Sequence, residues 1–338
     1  YPFPFSGGTW AMSAPEVLED VKKYGFNIYN AANNHAMDYS HNGLLATMRY
    51  LHQYGIRFAG IGENLADASA NGNIFASPDP NTILQTVRSV ECGKGVLLVY
   101  GNYAGDNLNF DMAAELLEDF GIESRTVRVW DDIASAPKER ITDRRGIAGD
   151  VFVIKIAGAA TAAGLSLDEA YHVAAKARDN TFSLGVALSG GTIPGAEHAA
   201  FSLPDGEIEF GMGVHGEPGI RRMKLLPADE IADMLVQFIL EDSGIRAGDR
   251  VCTLVNGLGS TSLAELYILN RKLTKLLQDR GIVIHDEQVG SYITCQEMAG
   301  ASVTLLQLDD ELQMYYDMPC WSPYFQKRAG KAGSHEEN

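Results

Sequence analysis

Long apolar runs are missing from this 338-residue chain. No stretch reaches the roughly 18 consecutive apolar residues of a membrane-crossing helix, and no basic-then-apolar leader opens it. A soluble, cytoplasmic protein is the expectation, although the chain opens on Tyr1 and not on methionine, so a fragment and a lost leader both stay open. Positive charge is scarce as well. Only 27 Lys and Arg stand against 44 Asp and Glu, and the resulting net charge of −17 repels phosphate backbones and anionic lipid. Neither nucleic acid nor a membrane is therefore an expected partner. Cysteine is sparse: Cys92, Cys252, Cys295 and Cys320 lie far apart, form no CxxC pair and adjoin no histidine cluster, which favours reduced thiols over disulfides or zinc. A P-loop is missing too, because no glycine loop ends in Gly-Lys-Ser/Thr.

What is present is an ordinary globular balance, 46% hydrophobic with 21% charged, in a chain long enough for two or more cored units. Helix and strand patterns alternate along it. Ser13 with Glu16 makes a capping box before PEVLEDVKKYG, FNIYNAAN reads as a strand, HNGLLATMRYLHQYG as an amphipathic helix and FAGIG as a strand. The small, polar GIGENLADASANG is a junction. Beyond it, TILQTVRSV reads as a helix and GVLLVY as a buried strand running into GNYAGDNLNF and a further helix. SRTVRVWDD is the next strand, followed by helices over DVFVIKIAGAATAAG and over SLDEAYHVAAKARDN, the latter capped by Ser166 with Glu169. A turn-rich stretch leads to the amphipathic helix ADEIADMLVQFILED, then to strand, glycine loop and helix in RVCTLVNGLGSTSLAELYILNRKLTKLLQDRG, with IVIHDEQV and ASVTLLQL as closing strands. This alternation predicts an α/β fold with mostly parallel or mixed sheets and no fixed-period repeat. The tail from Arg328 lacks apolar periodicity and reads as disordered.

Several loops carry residues suited to chemistry. GVHGEPG places His215 among three glycines and a proline, where turn geometry and not burial would fix the imidazole; a surface histidine is the plainer alternative. GNYAGD follows a buried strand, the position at which open α/β folds place ligands. There Asp106 either accepts hydroxyl hydrogen bonds or, with Asn102, satisfies turn amides. NGLGST, residues 256–261, stands in an equivalent place and could hold an anion at its helix start. ANNHAMD groups Asn33, Asn34, His35 and Asp38, but a hydrolytic metal centre draws ligands from several strand ends, so no metal is expected.

In order along the chain, FASPDP, GNYAGDNLNFDMAAELL, DRRGIAG, GVALSGGTIPG, FGMGVHGEPGIRR and LVNGLGSTSLAELY resemble the signature segments of the dihydroxyacetone kinase K subunits. The resemblance spans about residues 68–330. It implies a fold of two α/β units. It also implies that His215 adds through an imidazole nitrogen to the carbonyl of a small ketose, giving a hemiaminal, that Asp106 holds a substrate hydroxyl, and that Ser77 lies near the same pocket. Neutral imidazole has to be the nucleophile. In that family a separate L subunit carries the nucleotide, so this chain is expected to bind no cofactor itself and to receive phosphate from ATP or a phosphoprotein through a partner. A homodimer is likewise implied.

Two departures qualify this. Gly101 stands where those K subunits usually carry lysine, and relatives with glycine there look like kinases of four-carbon ketoses such as erythrulose, so the ketose, dihydroxyacetone or a tetrulose, stays open. The K subunits also begin with a GGGSGHEP segment whose histidine is a general base, and nothing like it occurs here. Instead PFSGGTWAMSAPEVLEDV, ANNHAMDYS and GIRFAGIGENLADA resemble the CapA, or poly-γ-glutamate capsule biosynthesis, family. The expected layout is thus a CapA-like α/β fragment over 1–66, a first K-subunit unit lacking its own N-terminal strands over 67–183, a second over 184–330, and a tail over 331–338. The expected function is the substrate-binding subunit of a dihydroxyacetone (glycerone) kinase, with turnover impaired by the missing base. The alternatives are a tetrulose kinase subunit and a non-catalytic ketose-binding regulatory subunit.

Overall fold

A computed structural model describes residues 15–23, 29–30, 40–56, 58–59, 77–192, 198–199, 201–214, 216–322 and 325–328. The chain divides into two compact units, Tyr1–Thr82 and Ile83–Asn338. In the first, helix α1 (Val17–Lys22) precedes strand β1 (Tyr29–Asn30), helix α2 (Ser40–Gln53) and strand β2 (Phe58–Ala59). The two strands pair in parallel, Tyr29 opposite Phe58, so α2 is the crossover that parallel pairing requires. Met48, Leu51 and Ile56 are its buried residues. Ser13 lies outside the described residues, as do Asn33, Asn34, His35 and Asp38.

Helix α3 (Pro80–Val90) begins at the end of this unit, where Asp79 accepts the backbone N–H of Asn81 and of Thr82, and Pro80 takes the first helical position, which needs no donor. Strand β3 (Val96–Gly101), helix α4 (Ala104–Glu118) and strand β4 (Ser124–Val129) follow. β3 and β4 are parallel, and alternation splits their side chains between two layers. Leu98 packs with Ile83 and Val87 of α3 and Ala113 and Leu117 of α4, whereas Val127 and Val129 pack with Val153, Ala157 and Ala174. Among the described residues β3 has a strand on one side only.

The last three residues belong to helices α5 (Asp150–Ala162) and α6 (Leu167–Asp179). The Ser166 and Glu169 capping box of α6 forms as expected. Strands β5 (Thr181–Ser189), β6 (Glu207–Phe210) and β7 (Arg221–Lys224), helix α7 (Ala228–Ser243), strand β8 (Arg250–Gly257), helix α8 (Leu263–Asp279), strands β9 (Val283–Gly290) and β10 (Ala299–Leu308), helix α9 (Asp310–Asp317) and the short pair β11 (Cys320–Trp321) and β12 (Gln326–Lys327) complete the described chain. Six of these strands form a mixed sheet in the order β7-β6-β5-β10-β8-β9, in which only β8 and β9 run parallel. The period of two again makes layers. Val303 and Leu305 of β10 face α7 and α8 through Leu235, Ile239 and Leu273, while Leu306 and Leu308 face α5, α6 and α9 through Phe152, Ile156 and Tyr316. All four cysteines are free thiols, as expected, and no described helix is long and apolar enough to cross a membrane.

Candidate functional site

Backbone contact fixes the first loop. Gly101 ends β3 against Gly146: a Cβ on Gly146 would fall 2.4 Å from the Gly101 Cα and 2.7 Å from the Val129 carbonyl oxygen, so no side chain fits there. Asn102 Nδ2 donates to the carbonyl oxygens of Thr142 at 2.9 Å and Arg144 at 2.7 Å, and Asn107 Nδ2 donates to Asn102 Oδ1 at 2.8 Å. By tying two distant carbonyl oxygens to its loop, and not by satisfying the turn amides of the plainer sequence reading, Asn102 is structural. Asp106 is not: in the first turn of α4, it makes no hydrogen bond or ion pair among the described residues, and it stays half-exposed. Its carboxylate remains available to a ligand hydroxyl.

The adjoining segment, Asp131 to Asp150, carries carboxyls that the sequence reading passed over. Asp131 Oδ1 accepts the Ile147 N–H at 2.8 Å and Oδ2 accepts the Gly149 N–H at 2.7 Å. Burial pushes the Asp131 carboxyl up, against the pull of Ser183 and those two amides. Asp132 Oδ2 accepts from Nε and Nη2 of Arg145 at 2.9 and 2.8 Å, yet burial raises its pKa to about 7, with the Arg145 charge and the Ala134 amide opposing. Asp150 is raised well above the carboxylate range by burial first, then by the negative charges of Asp131 and Asp106. Two consecutive aspartates closing a buried strand, Trp130-Asp-Asp, were the available signal, since strand ends are where α/β folds collect polar function.

Arg145 reaches the second glycine loop. Its Nη2 donates to the Gly211 carbonyl oxygen at 3.3 Å, and its Nη1 lies 4.0 Å from Glu217 Oε2. The turn closes through Gly213 N–H donating to the Glu217 carbonyl oxygen at 3.2 Å, with Gly216 at φ +96°, a left-handed conformation that excludes side-chain-bearing residues at little cost only for glycine. Val214 is buried with Ile147, Met212, Leu258 and Met298, and Tyr103 packs on the same cluster. Burial and the nearby Glu217 charge push the Tyr103 hydroxyl up. One apolar cluster therefore draws together the loops of GNYAGD, DRRGIAG, GVHGEPG and NGLGST.

His215 itself lies outside the described residues; its neighbours Val214 and Gly216 do not. Ser77 is exposed and belongs to the first compact unit. At NGLGST, Ser262 and Glu265 cap the start of α8 reciprocally, Thr261 Oγ1 exchanges hydrogen bonds with Gly300, and Asn256 Oδ1 accepts the amides of Tyr292 and Ile293, so these side chains are committed within the protein.

The chain matches the Dak1 domain over residues 57–324 and the bacterial capsule synthesis protein PGA_cap over residues 2–79. It is 48% identical over 265 residues to the dihydroxyacetone-binding subunit DhaK of PTS-dependent dihydroxyacetone kinase 2 from Listeria innocua, covering 78% of this chain and 80% of that one. L-Erythrulose kinase of Pectobacterium atrosepticum is 43% identical over 281 residues, which is 82% of this chain but 48% of that enzyme, so the chain spans about half its length. Among solved structures, the dihydroxyacetone kinase operon co-activator DhaQ superposes with a TM-score of 0.68 at 33% identity, covering 73% of this chain and 77% of that one. The Dak1 match takes in well over half of the chain, and the chain belongs to the Dak1 domain family.

Proposed function

We propose that this chain is the ketose-binding subunit of a dihydroxyacetone-type kinase, with His215 as the covalent anchor. The observation that carries this reading is the meeting of the GNYAGD and GVHGEPG loops on one apolar cluster beside the uncommitted Asp106 carboxylate. A neutral imidazole nitrogen of His215 attacks the ketose carbonyl; the N–C bond forms as the C=O π pair moves to oxygen, and the proton that the other ring nitrogen gives up balances the one the oxygen takes up, leaving a neutral hemiaminal. Asp106 accepts a substrate hydroxyl and, with Gly101, belongs to the binding surface in this reading; Ser77 enters it through the resemblance alone. Capture through a carbonyl excludes polyols, which have none to attack. The names of the relatives, a dihydroxyacetone-binding subunit and an erythrulose kinase, support a small ketose as ligand.

Phosphate comes from a partner in this reading, as the resemblance implies: a nucleotide-bearing L subunit supplies it, from ATP or from a phosphoprotein. The β3–β4 layers fall in the proposed unit 67–183 and most of the six-stranded sheet in the proposed unit 184–330, within a cytoplasmic homodimer. The similarity to an operon co-activator favours one rival, a ketose-binding regulatory subunit without turnover.

Intact-protein mass spectrometry of the folded chain with dihydroxyacetone tests the anchor. One ketose mass is expected on the parent and none on His215→Ala. A folded parent without adduct, or a His215→Ala variant that keeps it, overturns the reading.

A further inference from the structure

Asp150 opens α5, and the protein's own hydrogen bonds do not explain its carboxyl. Oδ1 is buried, and among the described residues no partner reaches it. Buried polar atoms are ordinarily satisfied, so an orphan of this kind is a place where something else binds. The carboxyl packs against Gly101 at the end of β3: a Cβ there would stand 3.0 Å from Oδ2 and 3.6 Å from Oδ1, so the lack of a side chain is what admits the carboxyl. Asp106, the proposed hydroxyl acceptor, is close enough for its charge to act on Asp150. Burial first, and then the charges of Asp131 and Asp106, raise the Asp150 carboxyl well above the ordinary range and so favour its protonated form, which can donate a hydrogen bond as well as accept one.

The stoichiometry of hydroxyls then matters. Dihydroxyacetone has two: one has to receive the phosphoryl group, and the other is taken by Asp106. None is left for a second carboxyl beside it. A four-carbon ketose brings a third hydroxyl. We propose that Asp150 is a specificity-determining residue, hydrogen-bonding the additional hydroxyl of a tetrulose beside Gly101. The inference rests on the ketose-binding reading above and adds the substrate class to it. A site that pairs a hydroxyl discriminates against the analogue lacking it, because the buried group is then left without a partner.

Adduct occupancy, titrated by intact mass with erythrulose and with dihydroxyacetone, reads this out as a ratio of apparent affinities, alongside thermal melting without ligand. The parent is expected to favour erythrulose, and Asp150→Ala to lower the ratio by about tenfold, the scale of one hydrogen bond. Asp150→Asn, neutral and still a donor, keeps the ratio within about threefold. Asp150→Ala melts no lower than the parent, since it removes a buried oxygen that had no partner. Gly101→Ala, whose Cβ would press on the Asp150 carboxyl and displace it, lowers the ratio as well and serves if the Asp150 variants do not fold. An unchanged ratio in Asp150→Ala and Gly101→Ala, whether both ketoses weaken equally or neither does, overturns the proposal. Absence of any adduct on the folded parent, or an adduct that survives His215→Ala, instead removes the underlying reading and this proposal with it.

Discussion

Burial raises the carboxyls of Asp131, Asp132 and Asp150, so each holds its proton more tightly in the folded chain than in the unfolded one. The stability associated with those protons is fully present below the ordinary carboxylate range and is lost as pH climbs towards the folded values. For Asp132 that window runs from about 4, the unfolded value, up to about 7. The melting temperature is therefore expected to fall between pH 5 and pH 8, and Asp132→Asn to flatten part of that fall even though it loses the Arg145 ion pair. Equal slopes in parent and variant would contradict the assignment. Comparing slopes also separates this effect from general repulsion at a net charge of −17, which both proteins share almost equally. At this scale the residues alone left both Asp106 and Asn102 undecided between ligand and turn, and only the resemblance singled out Asp106. It could not reveal Asp150, because an orphaned oxygen is a property of three-dimensional surroundings, and an aspartate opening a helix reads simply as a favourable first-turn charge.

Elements are held in place around the site by a few long-range links. Arg144, almost fully buried, grips Asp242 near the end of α7 with Nη1 and Nη2 at 2.8 and 2.6 Å, and its Nε donates to the Ala136 carbonyl oxygen at 2.8 Å. Removing one partner leaves a buried guanidinium uncompensated. Asp242→Ala is expected to cost about 3–5 kcal/mol in denaturant unfolding, well above an exposed pair's about 0–1 kcal/mol. A loss below about 1 kcal/mol would show the pair to be solvated. Most elements were legible where periodicity was strong, α7 and α8 among them. β5 was not, since Thr181 to Ala187 are buried on both faces and alternate nowhere; nor was β7, whose Arg-Arg-Met-Lys run is mostly exposed. α9, at eight residues, is too short for its stripe to declare itself.

On the scale of the whole molecule, two sequence families adjoin within one chain, and their matches overlap over residues 57–79. The foreign N-terminal segment replaces the GGGSGHEP stretch that the resemblance assigns to a general base. Such assistance is generally worth about 10²- to 10⁴-fold. Supplied with a competent nucleotide-bearing L subunit, the chain is expected to phosphorylate its ketose slower by that order than a K subunit retaining the segment. Full-rate turnover would refute the loss of the base, and none at all, with adduct intact, would favour the regulatory role. Resemblance revealed this join, whereas the mixed strand order was beyond it: alternation signals layers and leaves strand neighbours unspecified. One feature of those layers reaches further. α5 is buried on two faces, with Val153 and Ala157 against the β3–β4 pair and Phe152 and Ile156 against the six-stranded sheet. A gene cut between codons 180 and 181 would leave α5 with one of its two sheets gone, so neither half-gene product could conceal its sticky face alone; expressed together, the halves would have that shared rod as the seam along which to reassemble.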